Sequence, residues 1–242
     1  MTRSFEIQCA GYAIMADWYE GESTDQVILI LQGFTSSRQR QEKFTNYMST
    51  ATGASALVID YTGHGESPYE LKDTRPAQHV LEVVYAFEWI KQHYPDAKIT
   101  VIGNSYGSFL ATHLTHYKSF EKLVLRAPAI YRPQAFYDLW SVRFKDEDAY
   151  RESIQQYRND PDALKSNPLL VNANAQFMGP TLVVAHELDQ IIPRTTSDAY
   201  VEAFNADTFV AEGFSHAVSE SDITEQQIDA YHERIAQWLR LS

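Results

Sequence analysis

The chain has 242 residues, 44% apolar and 21% charged, a balance that supports one sizeable buried core and excludes a disordered or fibrous protein. A formal net charge of −12 argues against nucleic-acid and membrane-surface partners, which draw affinity from clustered Lys and Arg. The single cysteine, Cys9, excludes an intrachain disulfide and reads as a small apolar residue rather than a thiol nucleophile.

Residues 1–9 lack the continuous apolar run of a signal peptide, and no later stretch reaches membrane-spanning length, so a cytoplasmic location is expected. Residues 5–19 alternate polar and apolar positions and are broken by Gly11, which predicts two antiparallel strands joined by a turn. Residues 27–31 form an unbroken apolar run, the pattern of a strand buried on both faces of a parallel sheet. A helix-compatible stretch over 38–50 and a second apolar strand over 54–60 complete a βαβ unit. Over 78–94, Val80, Val83, Val84, Phe87 and Ile90 recur at three- and four-residue steps and predict a helix that ends before Pro95. Strands follow over 98–102, 122–126, 181–185 and 206–210, with helices from 105 to 117 and from 224 to 241. Strand alternating with helix, with the strands apolar, predicts an α/β fold built on a doubly wound, mostly parallel sheet.

Residues 131–180 break this rhythm with helical patches and no apolar strand. The expected division is therefore a core of 1–130 and 181–242 with a small helical cap inserted at 131–180. Tyr131, Phe136, Tyr137, Trp140, Phe144, Tyr150 and Tyr157 make the insertion aromatic, and Phe136 and Trp140 are the candidates to contact substrate.

Gly103, Asn104, Ser105, Tyr106 and Gly107 lie between an apolar strand and a helix, the context that gives a G-x-S-x-G pattern meaning. A residue on so sharp a turn has a strained backbone, and small neighbours two before and two after relieve the crowding. The exposed hydroxyl of Ser105 is a weak nucleophile near neutral pH, so it needs a base, and the base needs an orienting acid. Asp189 follows the strand at 181–185, and His216 follows the strand at 206–210. His186 is a rival base and Glu187 a rival acid, since both adjoin the same loop; the remaining histidines lie in helical stretches or, for His64, in a loop ahead of the serine.

On these residues the chain resembles the α/β-hydrolase superfamily over nearly all of its length outside the insertion. Within it the chain is similar to compact capped esterases of the feruloyl-esterase and monoacylglycerol-lipase-like kind. The family order of Ser, then Asp or Glu, then His is met by Ser105, Asp189 and His216. The family loop G-x-x-D-x-x-V-P is similar to residues 186–193, with His186 replacing the glycine, and its G-x-x-H matches 213–216. Its D-x-R-G-x-G-x-S is close to 60–67, with Thr62 where arginine is common. Gln32, Gly33 and Phe34 stand where the family has His-Gly-Phe, so the resemblance implies an oxyanion hole made by the backbone N–H groups of Phe34 and Tyr106. Backbone amides need no particular side chain at position 32, although the hydrogen bonds supporting the loop must then differ.

The expected activity is hydrolysis of carboxylic esters of small to medium apolar or aromatic acyl groups through an acyl-enzyme. An acyl thioesterase or acyltransferase uses the same machinery, and a non-catalytic binding protein is the alternative of another class. No metal and no cofactor is expected, because H-E-x-x-H, paired-cysteine, dinucleotide and P-loop patterns do not occur. The expected partner is a small ester or thioester, with a homodimer left open.

Overall fold

Alternation along the strands decides the architecture. In β3 (Ser23–Leu31) the last five residues are all buried, but Ile28 and Ile30 point to one face of the sheet and Leu29 and Leu31 to the other. A strand apolar on both sides must be covered on both sides, so helices are required above and below it. The computed structural model describes residues 1–241 and supplies them.

β1 (Thr2–Gln8) and β2 (Ala13–Tyr19) form the expected hairpin, with Gly11 at a φ of 93° in the turn. β2 pairs antiparallel with β4 (Ala54–Ile59), and β3, β4, β5 (Lys98–Asn104), β6 (Lys122–Arg126), β7 (Thr181–His186) and β8 (Asp207–Ala211) are parallel where they pair. The spatial order is β1-β2-β4-β3-β5-β6-β7-β8. The chain runs outward from β3 to β4, then returns to place β5 on the other side of β3. Neighbouring loops therefore part at the carboxyl ends of β3 and β5, and the crevice between them is where an open α/β sheet binds its ligand.

One face is covered by α1 (Glu42–Thr52) and α9 (Glu225–Leu241), whose Phe44, Met48, Ile235 and Leu239 pack on Ile28, Ile30, Val58 and Val124. The other is covered by α2 (Pro76–His93), α3 (Tyr106–Leu114) and α8 (Arg194–Phe204), which bring Val83, Ile90, Leu110, Tyr200 and Phe204 against Leu29, Val101 and Leu125. Each fully buried aliphatic side chain contributes roughly 1.5–3 kcal/mol over its exposed state. The sequence pattern does not predict helix α8. Its buried positions Thr196, Ser197, Tyr200 and Phe204 have helical spacing, but half of them are small and polar, so no apolar stripe announces them.

Between β6 and β7 the chain makes no strand; a 3-10 turn at Pro133–Phe136 leads into four α-helices, α4 (Trp140–Arg143), α5 (Glu147–Arg158), α6 (Pro161–Lys165) and α7 (Ala173–Gln176). The Asp146 carboxylate caps α5 by accepting from Ala149 N–H. Asp160 likewise caps α6, with Pro161 at its first turn. The segment is held to the sheet side by Arg158, which donates to the carbonyls of Ile130 and Ile191, and by Asn167, which donates to the carbonyl of Tyr131. Tyr131, Trp140, Ile154, Tyr157 and Leu164 are buried in the same cluster as α2 and α3.

Candidate active site

The turn from β5 to α3 shows why two glycines are needed. A Cβ on Gly107 would lie 1.9 Å from the carbonyl oxygen of Leu31, and one on Gly103 would lie 2.5 Å from the Cα of Ser108. Both distances are impossible for packed carbon, so α3 approaches β3 and folds back on the end of β5 only with glycine at these places. Between them Ser105 has φ 52° and ψ −110°, a region costing of order 1–3 kcal/mol for a residue with a Cβ. The surroundings hold it there: Ser105 N–H donates to the carbonyl of Arg126 at 2.8 Å, and its own carbonyl accepts from Ala129 at 3.1 Å and Ser108 at 3.0 Å. The residue is 9% exposed and directly follows the carboxyl end of β5.

His216 reaches that hydroxyl from the loop after β8. Its Nε2 is 3.0 Å from Ser105 Oγ, and its Nδ1 is 2.7 Å from Oδ2 of Asp189. Asp189 sits in the loop after β7, with a side chain 1% exposed, and its Oδ1 accepts from the N–H groups of Ile191 and Ile192, both at 2.8 Å. Burial alone would raise its pKa. The His216 hydrogen bond and charge and the two backbone donors outweigh burial and hold the carboxyl below its ordinary value. An ionised Asp189 fixes Nδ1–H on the imidazole and leaves the Nε2 lone pair facing the serine, the arrangement a general base requires.

The rival residues lie elsewhere. His186 is buried, with Nδ1 2.8 Å from the carbonyl of Ser215 and Nε2 3.2 Å from the Tyr231 hydroxyl, and burial followed by the charge of Arg126 pushes its pKa down to about 4. Glu187 accepts from Gly213 N–H at 2.7 Å instead of orienting His216. His64 is buried against the rings of Phe34 and Tyr61, and burial lowers its pKa.

Phe34 follows β3, and Tyr106 opens α3. As first residue of a helix, Tyr106 has no intrahelical acceptor for its N–H, and no protein acceptor takes the N–H of Phe34 among the described residues. The loop after β3 is braced by contacts the sequence did not reveal. Gln32 donates from Nε2 to Asp60 at 3.1 Å, and its carbonyl accepts from the Tyr61 hydroxyl at 3.2 Å. Asp60, fully buried, also accepts from the backbone N–H groups of Arg38 and Glu66 and from the Arg38 guanidinium, which is paired in addition with Asp17 and Glu66. A Cβ on Gly65 would meet Asp60 Oδ2 at 2.0 Å, so the glycine in that loop makes room for the carboxylate.

Behind Tyr106, its hydroxyl is 2.7 Å from His79 Nδ1, while His79 Nε2 is 3.0 Å from the carbonyl of Thr62. A carbonyl only accepts, so Nε2 carries the proton and Tyr106 donates to Nδ1. Of the two substrate-contact candidates from residues 131–180, Trp140 packs its ring 4.1 Å from that of Phe34 and 5.4 Å from that of Tyr106, while the ring contacts of Phe136 are with His113 and Tyr137.

The serine aminopeptidase S33 family matches residues 22–221, and the chain belongs to that family within the α/β-hydrolase superfamily. It is similar to the lysophosphatidylserine lipase ABHD12 of Gallus gallus, 26% identical over 189 residues that cover 73% of this chain and 47% of the relative. The chain thus spans less than half the length of that curated relative. Among solved structures it is similar to the Pyrococcus furiosus esterase Pf2001, with a TM-score of 0.69 and 18% identity over 99% of this chain and 92% of the other. It is also similar to Est1E of Butyrivibrio proteoclasticus with ferulic acid bound, with a TM-score of 0.68 and 17% identity over 96% and 98%. At these identities the two structures speak to the fold.

Proposed function

We propose that the chain is a serine hydrolase that cleaves carboxylic esters of small to medium apolar or aromatic acyl groups. The observation that carries the reading is the continuous chain from Asp189 through His216 to Ser105, at 2.7 and 3.0 Å. Ser105 Oγ attacks the ester carbonyl while His216 Nε2 takes its proton. The oxyanion accepts from the N–H groups of Phe34 and Tyr106, at the positive end of α3. His216 then returns the proton to the departing alcohol, and a water activated by the same nitrogen releases the acid from the acyl-enzyme. Asp189 stays ionised throughout and stabilises the imidazolium.

In this reading residues 131–180 are the cap, and Trp140 is its residue nearest the acyl group, because it packs on the side chains of both proposed oxyanion residues. The lipase named among the relatives and the ferulic acid bound to Est1E support esters over peptides, despite the family's name. No helix among the described residues is long and apolar enough to cross a membrane. The test is a panel of esters from acetyl to long acyl with a hydroxycinnamoyl member, matched thioesters and an aminoacyl anilide. Ester cleavage is expected to dominate and to fall by several orders of magnitude in kcat for both Ser105→Ala and His216→Ala, since these groups act as a unit. Losses under about tenfold would remove the assignment, because a general base alone is worth roughly 10²–10⁴-fold.

A further inference from the structure

Most buried side-chain polar atoms without a well-formed hydrogen bond among the described residues fall in one place, beside Trp140: its own Nε1, Nε and Nη1 of Arg143, and the hydroxyl of Tyr150. Arg143 is 4% exposed and forms no ion pair with a carboxylate among the described residues. It donates from Nη2 to the carbonyl of Ala135 at 2.7 Å, and the Tyr150 hydroxyl is its further, looser side-chain acceptor. The rest of its surroundings are rings, with the guanidinium carbon 3.7 Å from the centroid of Trp140, 4.9 Å from Tyr131 and 5.6 Å from Tyr150. Ring faces offset part of the cost of desolvating a cation but accept none of its in-plane N–H groups. Of the other buried arginines, Arg38 faces three carboxylates and Arg158 gives two N–H groups to carbonyls. Arg126 also lies on two rings and gives its Nε to the Tyr231 hydroxyl, but of the buried cation–ring arginines Arg126, Arg143 and Arg158, Arg143 alone has both Nε and Nη1 buried without a well-formed hydrogen bond among the described residues. A buried cation left with unmatched donors is a costly arrangement that an anionic ligand would relieve.

Arg143 and Tyr150 line a cavity of about 350 Å³, together with Arg132, Ala135 and Lys145. Its wall also carries Asp138 and Asp146; the latter is engaged at the start of α5, and neither pairs with Arg143. Trp140 touches both the guanidinium and the rings of Phe34 and Tyr106, so Arg143 is linked to the proposed oxyanion residues through one indole.

We infer that this cavity is an anion subsite in which the Arg143 fork, with Tyr150 beside it, receives a carboxylate or phosphate carried by the alcohol part of the ester substrate. The inference rests on the ester-hydrolase reading, which gives the apolar rings to the acyl group and leaves the alcohol as the part that bears charge. A planar fork matches either oxyanion through two N–H groups, which an ammonium cannot do. The unmatched nitrogens are closed over by the rings, so binding turns the guanidinium toward the cavity.

The test compares two esters of one acyl group whose alcohols end in a carboxylate or in the matching primary amide. Arg143→Met is expected to lower the carboxylate-over-amide ratio of kcat/KM by about tenfold or more, with Arg143→Lys between it and the unmodified enzyme. An unchanged ratio overturns the inference. Should Arg143→Met fail to fold, the unmodified protein decides: inorganic phosphate is expected to raise its Tm above that in sodium chloride of equal ionic strength, and no rise overturns the subsite. A rise without any preference between the esters assigns the cavity to a free anion and overturns the link to substrate. Cleavage of neither ester by the unmodified enzyme defeats the hydrolase reading itself, while the phosphate measurement still reports on the cavity.

Discussion

At the scale of single residues, chemistry that demands a residue type at a strand end could be read from the chain. Ser105, Asp189 and His216 each follow a strand, and the structure brings them within hydrogen-bonding reach of one another. What could not be read was support that depends on tertiary contact. Gln32, Arg38 and Asp60 form one buried network although Gln32 and Arg38 are 28 and 22 residues from Asp60 in the chain, and no local pattern links them. Arg143 was hidden for the same reason, since an arginine on a short polar helix looks solvated until its neighbours are known. The choice between Asp189 and Glu187, open in the sequence, now has a sharp expectation. Asp189→Asn would favour the wrong imidazole tautomer and lower kcat by about 10⁴-fold, whereas Glu187→Gln would perturb only the Gly213 contact. Steady-state kinetics of the two variants checks this, and a larger loss in Glu187→Gln would move the acid.

At the scale of elements, the hairpin and the parallel strands were legible because their apolar residues alternate, as in β1, or run unbroken, as in the last five residues of β3, whereas α8 was not, because small polar residues occupy half of its buried face. The helices between β6 and β7 showed only as an interruption. Their aromatic content did not say which rings approach the serine, and the structure separates the two candidates. Trp140 packs on Phe34 and Tyr106, whereas Phe136 stacks on His113 at 4.5 Å. Trp140→Ala is accordingly expected to change the rank order of kcat/KM across the ester panel. Phe136→Ala is expected to lower all members by a similar factor through lost packing, with truncation of a buried aromatic costing about 3–5 kcal/mol at most. Reordering by Phe136→Ala and a uniform loss in Trp140→Ala would reverse the two roles.

At the scale of the whole molecule, burial of neutral histidines makes stability depend on pH. Burial, aided by Arg126, pushes His186 and His232 down to about 4, and burial with a nearby His116 pushes His113 down to about 3. Unfolded histidines titrate near 6.5, so between about 6.5 and 4 the unfolded chain binds protons that the folded chain refuses. Stability therefore falls as pH drops through this window. Glu82, whose carboxyl is raised by burial, acts in the opposite sense, but the shifts of His64 and His79 add to the histidine side. Urea unfolding is expected to show a lower midpoint at pH 5.0 than at pH 7.5, with the difference reduced in His186→Gln, and equal midpoints would show that these rings are hydrated. The catalytic reading is tested most directly by mass spectrometry of the protein after exposure to a fluorophosphonate, which a serine activated by its histidine attacks with loss of fluoride. A single adduct mapped to Ser105, formed far more slowly in His216→Ala, is the expected result; an unmodified Ser105, or an adduct on another residue while ester cleavage persists, would contradict it.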